Sequence, residues 1–400
     1  MNLRSLLIVF LVLLFSQCFS YVGWNPTFGG QLTKAVLLVL LVYCILNASK
    51  VPISSMRPFV LSFMILPFVS IFSSYTLHGQ SLVEGYRVTM FSLTYLFFFI
   101  LYIQKIDFKV ILNISLAFGV FWVAMEAIQQ LTYPTIWFAT RYDTFDKAIE
   151  IRNGIYRYNM EGREFGLVLL FYSFQKYLEK SRSKYLLGVA LGLVGVYLLA
   201  TRQIMVASVL CLLYAMVAMH KLKPVSFIGI SVIVLLIYIN MDSLFGDYIK
   251  MTETVDEDYV RFASYNYYAF EYNNGQLMPF LIGNGLEGIS NYGKEIENIQ
   301  QLGLYRADIG IVGIYSWYGI LYVLTVLAFF VFTVIKRKYI DIYLQMYILY
   351  MIITSAMLHH FGYSAHHIMT ICIILYLIDG SIKNNKRVKL QLCNFKTRIA

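Results

Sequence analysis

The sequence predicts an all-helical integral membrane protein with about twelve transmembrane helices and a long, partly helical extracytoplasmic loop. Two observations predict this class. Hydrophobic residues make up 59% of the 400 residues and charged residues only 14%, a composition typical of polytopic membrane proteins. Apolar runs long enough to cross roughly 30 Å of hydrocarbon also recur along most of the chain. We therefore interpret residues 1–400 as a single polytopic domain.

The predicted helices follow the apolar runs in chain order. Their approximate cores are Leu6–Tyr21, Ala35–Leu46, Phe59–Ile71, Val88–Ile103, Val110–Leu131, Phe165–Leu178, Tyr185–Ala200, Ile204–Met219, Val225–Ile239, Ile309–Ile335, Ile340–Leu358 and Ile368–Ile378. The first run is similar to the apolar part of a signal peptide. Only Arg4 precedes it, however, so we interpret it as a helix.

The distribution of basic residues predicts the orientation, because short cytoplasmic loops retain positive charge during insertion. With the N-terminus in the cytoplasm, twenty of the 32 lysines and arginines fall in short cytoplasmic loops and termini. Both termini are then cytoplasmic, and residues 380–400 form a basic tail that can lie against anionic lipid. Residues 134–162 and 241–308 form two long loops on the outer side.

The outer segments are richer in arginine than the cytoplasmic ones. Arginine accounts for eight of the twelve outer basic residues but for only six of the twenty inner ones. A planar guanidinium binds phosphate oxygens through two parallel hydrogen bonds, whereas lysine is a point charge. This bias indicates that the outer face carries the chemistry, with chance variation in small counts as the alternative. Arg157 and Arg163, in and beside the first long loop, are candidate substrate-binding residues.

A polar break, Ala200-Thr201-Arg202-Gln203, separates two apolar runs between Tyr185 and Met219. It places Arg202 at the outer end of a membrane hairpin. A charge at the membrane edge costs roughly 2.5–3.5 kcal/mol on insertion scales, which favours a functional role for this arginine. The alternative is an arginine whose side chain reaches the headgroups.

The loop 241–308 contains eleven acidic residues, four basic residues and twelve tyrosines or phenylalanines. This aromatic density argues against disorder. Residues Asp256–Tyr272 are predicted to form an amphipathic helix that begins with acidic residues. One stripe of this helix carries Arg261, Tyr265, Tyr268 and Tyr272. Tyrosines suit sugar rings, although the same stripe would also suit packing on the membrane surface.

Two further features flank the tenth apolar run. Gly283-Asn284-Gly285 is predicted to form a turn in which the backbone approaches another segment closely. Arg306 and Asp308 then lie immediately before the run. They can be interpreted as a simple ion pair, or as a phosphate-binding arginine beside a general base.

The order of these motifs resembles that of the O-antigen polymerase and O-antigen ligase superfamily of bacterial polysaccharide assembly. Those proteins have about twelve helices, a Thr/Ser-Arg helix junction, an arginine-bearing loop helix, a Leu-Gly-x-Gly turn, a polar residue and a Tyr-Gly-Ile-like segment. The matching residues are Thr201-Arg202, Arg261, Ile282-Gly283-Asn284-Gly285, Asp308 and Tyr318-Gly319-Ile320. The resemblance covers roughly residues 150–335 and implies a fold of the GT-C glycosyltransferase type.

The resemblance implies a metal-independent glycosyltransferase without a cofactor. It would transfer a glycan from polyprenyl pyrophosphate to a lipid-linked repeat unit, in the bacterial inner membrane with its active site on the extracytoplasmic face. Arg202 and Arg261 would neutralise the pyrophosphate with help from Arg157 and Arg306. Asp308 would act as the general base. In the ligases, the position that opens the tenth helix resembles a histidine–asparagine pair. This chain has Asp308 there, which favours a polymerase over a ligase.

Other residues and partners complete the expectations. His360 belongs to a histidine cluster, His359, His360, His366 and His367, that we interpret as a loop touching the substrate cavity rather than as a metal site. The five cysteines are predicted to be packing residues. Membrane lipid, a flippase and a chain-length regulator are expected partners, and nucleic acid is not. A lipid-linked oligosaccharide flippase or other transporter is a further alternative function.

Overall fold

The computed structural model describes residues 3–16, 26–135, 137, 149–152, 155–158, 160–220 and 256–399. The regular secondary structure of these residues is helical apart from one two-stranded antiparallel hairpin. The chain divides into two compact units, which we describe separately. The first comprises Met1–Phe19, Trp24–Ile114 and Ala263–Ala400, and the second comprises Ser20–Gly23 and Ser115–Phe262.

The elements follow one another in chain order. The helices are α1 (Leu3–Phe15), α2 (Pro26–Leu46), α3 (Arg57–Val69), α4 (Ile71–His78), α5 (Leu82–Thr89), α6 (Leu96–Ile103), α7 (Phe108–Thr132), α8 (Arg163–Lys180), α9 (Ser183–Leu198), α10 (Arg202–Ala218), α11 (Asp256–Asn266), α12 (Leu277–Ile282), α13 (Asn291–Gln301), α14 (Gly310–Ile335), α15 (Ile342–Thr354) and α16 (Ala365–Ile399). The strands are β1 (Ile149–Arg152) and β2 (Ile155–Tyr158).

Within the described residues, six helical segments are long and apolar enough to cross a membrane. They are Gly29–Leu46, Arg57–His78, Leu82–Ile103, Phe108–Thr132, Gly310–Ile335 and Ala365–Asn385. Four further apolar helices, α1, α9, α10 and α15, have only 10–17 residues. At 1.5 Å per residue, such helices are shorter than the roughly 30 Å hydrocarbon layer. The all-helical class with apolar helices of membrane-spanning length is therefore confirmed, whereas twelve full spans are not.

Two of the predicted runs account for the rest of the difference. The run Phe165–Leu178 lies on α8, which is helical but carries five charged side chains over 18 residues. That charge content places it outside the group of candidate spans. The run Val225–Ile239 lies outside the described residues.

The long loops contain more regular structure than the sequence predicts. The loop 134–162 includes the β1–β2 hairpin, in which Ile149 pairs with Tyr158 and Arg152 with Ile155. The loop 241–308 includes α11, α12 and α13, and its residues 241–255 lie outside the described part. The basic segment 380–400 continues α16, which remains helical as far as Ile399.

The core of the first unit surrounds α16. Of the candidate span Ala365–Asn385, 94% is buried, so this helix packs against neighbours on all sides. Beside it lies an aromatic cluster centred on Phe63. The Phe63 ring lies 4.8 Å from that of Phe361, 5.5 Å from that of Tyr322 and 5.8 Å from that of Tyr95. These contacts hold α3, α14 and the loop before α16 together.

The second unit packs its helices through small residues. A Cβ at Gly192 would lie 2.6 Å from the Leu170 Cβ, and one at Gly166 would lie 2.8 Å from the Trp122 ring. Gly195 approaches the same tryptophan in the same way. Close approach at small residues is the usual packing mode of membrane helices, which gain little from hydrophobic burial. Helices α7, α8 and α9 are therefore held at short distance.

One membrane span of the first unit is interrupted. Within α14, Gly319 has φ 75° and ψ 179°, which is not helical and divides the span into two pieces. The interruption redirects two carbonyls toward the Gly283–Gly285 turn: Asn284 N donates to Ser316 O at 2.9 Å, and Gly285 N donates to Trp317 O at 2.8 Å. Such pairing satisfies backbone groups that a broken membrane helix would otherwise leave exposed.

The predicted close approach of the glycine turn is thus confirmed. Gly283 has φ 77°, and a Cβ there would lie 2.2 Å from Trp317 O. A Cβ at Gly319 would lie 2.3 Å from Leu281 O. Only glycine fits at either position, because both the left-handed backbone and the space exclude a side chain.

We predict that Gly283→Ala and Gly319→Ala each lower the free energy of unfolding by about 2–3 kcal/mol, since each combines positive φ with overpacking against backbone. Thermal or denaturant unfolding in detergent measures the change. Gly275→Ala is the matched control, because Gly275 has φ 69° but no atom within 4 Å of the added Cβ. Equal effects at Gly275 and Gly283 would show that the backbone junction contributes nothing.

Candidate functional site

Arg306 is the centre of a buried, charged cluster in the first unit. It lies in the short 3-10 turn Arg306–Asp308 before α14, and only 1% of it is exposed. Its Nη2 donates to Glu287 Oε2 at 2.6 Å, and its Nη1 donates to the Tyr292 hydroxyl at 3.0 Å. The Glu287 side chain is 30% exposed, so the ion pair borders the surface through its acid.

Four aromatic rings surround the Arg306 guanidinium. Its central carbon lies 5.7 Å from the Tyr292 ring centroid, 5.8 Å from that of Tyr268 and 5.9 Å from those of Tyr272 and Trp317. Each distance lies within the range of a cation–π interaction. We call Arg306, Glu287 and these four aromatic residues the Arg306 cluster.

A π-helical turn brings two of the predicted tyrosines to the Arg306 cluster. Helix α11 begins at Asp256 as predicted, but it gives way to a π-helix over Tyr267–Glu271, closed by a bond from Tyr272 N to Tyr267 O at 2.8 Å. One extra residue in the turn rotates the residues after it by about 100°. The predicted helix Asp256–Tyr272 is thus an α-helix followed by a π-helical turn, and Tyr268 and Tyr272 of its predicted stripe face Arg306.

Electrostatics keep Arg306 charged. Burial alone lowers the pKa of the guanidinium, but the adjacent Glu287 carboxylate outweighs it and raises the pKa above its ordinary value. Burial raises the pKa of Tyr268, Tyr272 and Tyr292, so their hydroxyls remain protonated at neutral pH. The cluster thus holds one permanent cation among neutral tyrosines, whose hydroxyls donate to Leu304 O, Glu295 Oε1 and Gly285 O.

Two buried N–H donors of this cluster lack an acceptor among the residues that the structure describes. They are Arg306 Nε and Trp317 Nε1. An unsatisfied buried donor costs about 1–3 kcal/mol, and more when the group is charged. An acceptor supplied from outside the protein, such as a phosphate oxygen, would remove that cost. The donor set therefore fits an anion.

His78, at the end of α4, extends the cluster. Its ring stacks on Tyr292 with centroids 4.1 Å apart, and its Nδ1 lies 3.1 Å from Glu295 Oε2. Its Nε2 lies 3.1 Å from Asn284 Oδ1, whose amide nitrogen is already engaged with Asn273 Oδ1 at 2.8 Å. Both ring nitrogens therefore lie within hydrogen-bond distance of a side-chain oxygen.

The segment after α4 fixes the loop that carries Glu287. Gln80 is fully buried; its Nε2 donates to Leu286 O at 2.9 Å, and its Oε1 accepts from Gly288 N at 2.8 Å. Glu84 Oε1 accepts from Ile289 N at 2.9 Å. These bonds hold the backbone on both sides of Glu287, so the position of the acid does not depend on its own side-chain contacts.

Asp308 is exposed, two residues after Arg306. Its expected alternative role as an ion-pair partner of Arg306 is wrong, because Arg306 pairs with Glu287. Asp308 makes no ion pair with any residue that the structure describes. Its carboxylate is therefore accessible to an acceptor molecule from solvent.

The remaining predicted arginines belong to the second unit. Arg202 is the first residue of α10 and follows the turn of Leu199–Thr201, in which Ala200 has φ 48°. Arg163 is the first residue of α8, and its Nε donates to Glu164 Oε1 at 3.0 Å. Arg157 lies on β2 and Arg261 on α11. All four lie in the second unit, whereas the Arg306 cluster belongs to the first.

The histidine loop approaches the cluster through His359 rather than through the predicted His360. The His359 ring lies 5.7 Å from the Trp317 ring, and its Nδ1 lies 3.0 Å from Ala307 O. His360 is 8% exposed, and its Nε2 lies 2.6 Å from Thr354 Oγ1. This contact joins His360 to the last residue of α15.

Residues His78, Glu287 and Tyr292 were missed by sequence reasoning. His78 ends an apolar run just before Gly79, and Glu287 follows the glycine turn by two residues, but neither spacing matches a recognised motif. Comparisons of the chain with protein-family models, with curated proteins and with solved structures find no match. The site is therefore interpreted from its own geometry.

We predict that Glu287→Gln lowers the free energy of unfolding by about 2 kcal/mol, because it leaves the buried Arg306 charge without its carboxylate. This figure is below that of a fully buried pair because Glu287 is 30% exposed. Glu297→Gln, at an exposed position of the neighbouring α13, should change stability by less than about 0.5 kcal/mol. Matching unfolding curves for the two variants would contradict the proposed role of the pair.

Proposed function

We propose that the protein is a polysaccharide polymerase of the O-antigen, capsule or exopolysaccharide type. It would transfer a glycan from polyprenyl pyrophosphate to a lipid-linked repeat unit, as the resemblance to the O-antigen polymerase and ligase superfamily implies. The observation that carries the proposal is the buried Arg306 at the end of membrane-spanning helices, with a free Nε donor and a wall of tyrosines. A pyrophosphate attached to a membrane lipid and a sugar suits all three features.

The Arg306 cluster would act by electrostatic stabilisation. As the bond between the sugar anomeric carbon and the pyrophosphate oxygen breaks, negative charge develops on the leaving pyrophosphate. Arg306 Nε, with Trp317 Nε1 beside it, supplies donors that are already oriented, and such a donor typically contributes a few kcal/mol. Tyr272 presents an aromatic face at the partly exposed side, where a sugar ring can stack.

The resemblance assigns the same chemical role to Arg202 and Arg261 of the second unit. Arg202 occupies the first turn of α10, where the helix dipole already gives a positive end. A positively charged side chain at this end destabilises the helix alone, because it is repelled by the helix dipole. An anion bound at the same end is attracted by both the side chain and the dipole. This placement supports a phosphate-binding function for Arg202 better than a purely structural one.

Asp308 would accept the proton of the acceptor hydroxyl. The hydroxyl oxygen forms the new glycosidic bond, its proton goes to the Asp308 carboxylate, and polyprenyl pyrophosphate leaves with the bonding electrons. Exposure of Asp308 and its lack of an ion-pair partner among the described residues support this role. General-base catalysis of this type typically contributes about 10²–10⁴-fold.

A ligase that transfers polymer to a lipid anchor is the second candidate. His359 favours it, because its ring lies against Ala307 O beside Asp308, where the ligases have a histidine. A polymerase and a ligase differ in acceptor rather than in donor, so the Arg306 cluster would serve either. A flippase would need the lipid-linked glycan but no base at Asp308.

A strain lacking the protein tests the function. Loss of a polymerase should leave single repeat units attached to the anchor, whereas loss of a ligase should accumulate polymer on the carrier lipid. Loss of a flippase should leave single lipid-linked repeats in the inner leaflet. Gel profiles of the surface glycan and mass spectrometry of extracted carrier lipids separate the three outcomes, and either of the last two would overturn the polymerase proposal.

We predict that Asp308→Asn abolishes polymerisation while protein level and donor binding stay near normal, because the amide keeps the size but does not accept a proton. Glycan chain length reports polymerisation, and retention of radiolabelled donor by the purified protein reports binding. Glu297→Asn is the control at another exposed acid. Near-normal chain lengths in Asp308→Asn would remove the general-base role.

We predict that Arg202→Lys and Arg261→Lys each severely reduce polymer formation although the proteins are expressed and inserted normally. Lysine keeps the charge but loses the two parallel N–H donors that bind pyrophosphate. Arg182→Lys, at an exposed position between α8 and α9, should leave polymer unchanged. An arginine that merely reaches the headgroups would tolerate lysine, so full polymer from both variants would contradict the phosphate-binding role.

A further inference from the structure

A basic cavity of about 410 Å³ lies in the first unit, away from the Arg306 cluster. Three lysines line it: Lys50 before α3, Lys105 after α6 and Lys383 on α16. They come from three separate parts of the sequence. The fold therefore brings these three positive charges together, and they do not come from one basic loop.

The cavity and the Arg306 cluster lie at opposite ends of the same membrane spans. The span Arg57–His78 begins shortly after Lys50 and ends at His78 of the extended cluster. The span Leu82–Ile103 returns from beside Glu84 to Lys105. A helix of 22 residues is about 33 Å long, which is the thickness of the hydrocarbon layer. The cavity is thus at headgroup depth on the other membrane face.

Lys105 occupies a strained backbone position at the end of α6. Helix α6 ends in a Schellman motif: Ile106 N donates to Leu101 O at 3.0 Å, and Lys105 N donates to Tyr102 O at 3.0 Å. Lys105 occupies the left-handed position with φ 52°, where glycine is the usual residue. A lysine there costs about 1–2 kcal/mol.

Lys105 is also the lysine with the most available charge. Its ammonium makes no hydrogen bond or ion pair within the described residues. Lys50 Nζ donates to Asn47 Oδ1 at 2.7 Å and keeps its full charge. Lys383 Nζ lies 2.6 Å from the buried Asp379, which also accepts from Tyr102 and Ser55. The Asp107 carboxylate also lies close to the Tyr376 hydroxyl, so three ammonium groups against two carboxylates leave one positive charge unmatched.

The cavity walls between these lysines are apolar and aromatic. Tyr102, Phe108 and Tyr376 line it, and the Phe108 and Tyr376 rings lie 4.6 Å apart. The Tyr376 hydroxyl donates to Ile106 O, so its ring is held in place. A soluble anion needs only the charges. Aromatic walls at headgroup depth suit a ligand whose charged head continues into a glycerol or hydrocarbon part.

We propose that this cavity, which we call the Lys105 cavity, binds the phosphate headgroup of an anionic membrane lipid. The phosphate would lie between Lys50, Lys105 and Lys383, and the apolar part of the lipid would lie along Phe108 and Tyr376. The proposal does not rest on the polymerase function, because the cavity is at the opposite end of the spans from Arg306. It adds a lipid-binding site on the face that carries the topological lysines.

Native mass spectrometry of the full-length protein in detergent tests the site. The probes are palmitoyl-oleoyl phosphatidylglycerol and the zwitterionic phosphatidylcholine with the same chains. We expect phosphatidylglycerol to bind the wild-type protein at least about fivefold more tightly. Lys105→Gly should lower that affinity about fivefold, which corresponds to about 1 kcal/mol, and should leave phosphatidylcholine binding unchanged.

Lys105→Gly is a favourable test variant because glycine accepts the left-handed backbone without strain, so the fold is kept or stabilised. Lys105→Asn, which also tolerates that conformation, is the second variant. Lys109→Gln is the matched control, since Lys109 is exposed nearby on α7 but does not line the Lys105 cavity. Its phosphatidylglycerol affinity should stay within about twofold of the wild-type value.

Three outcomes would overturn the proposal. The first is equal affinity of the wild-type protein for the two lipids. The second is unchanged phosphatidylglycerol affinity in both Lys105 variants, or an equal loss in Lys109→Gln. The third is complete displacement of the lipid by inorganic phosphate at about 10 mM, which would indicate a weak site for free anions. The aromatic walls should give the lipid an affinity that phosphate alone lacks.

Discussion

The contact between the glycine turn and the interrupted span α14 is the constraint on which the candidate site depends. The break at Gly319 leaves the carbonyls of Ser316 and Trp317 without helical partners, and two backbone N–H groups of the turn donate to them. Neither half is satisfied alone, since a broken membrane helix leaves unpaired carbonyls and a turn of this shape leaves unpaired amides. Their pairing fixes the loop against the membrane span.

A chain of hydrogen bonds leads from that junction to Arg306. Asn284, between the two turn glycines, also binds His78, while Gly285 O accepts from the Tyr292 hydroxyl at 3.2 Å. Tyr292 in turn binds Arg306. The guanidinium is therefore held by a network whose geometry is set before any ligand arrives. Preorganised charge of this kind stabilises a developing anion without reorganisation during the reaction.

Membrane class, the hairpin junction before Arg202 and the close approach of the glycine turn could be predicted from sequence because each depends on local pattern. The number of spans could not, since a run such as Phe165–Leu178 is apolar in its middle but charged at its ends. Glu287 and His78 were not predicted either. His78 joins the site only through contacts with residues more than 200 positions along the chain, and Glu287 joins it through Arg306, 19 positions along. One sequence contains no signal of either pairing.

The π-helical turn of Tyr267–Glu271 has a consequence for how the aromatic wall is specified. A π-turn is an α-helix with one residue too many, so the wall depends on the length of this segment as much as on its side chains. Removal of a single residue would restore the α-helix and swing Tyr272 by about 100° away from Arg306, although every contact residue would still be present. The number of residues in this segment therefore determines whether Tyr272 faces Arg306.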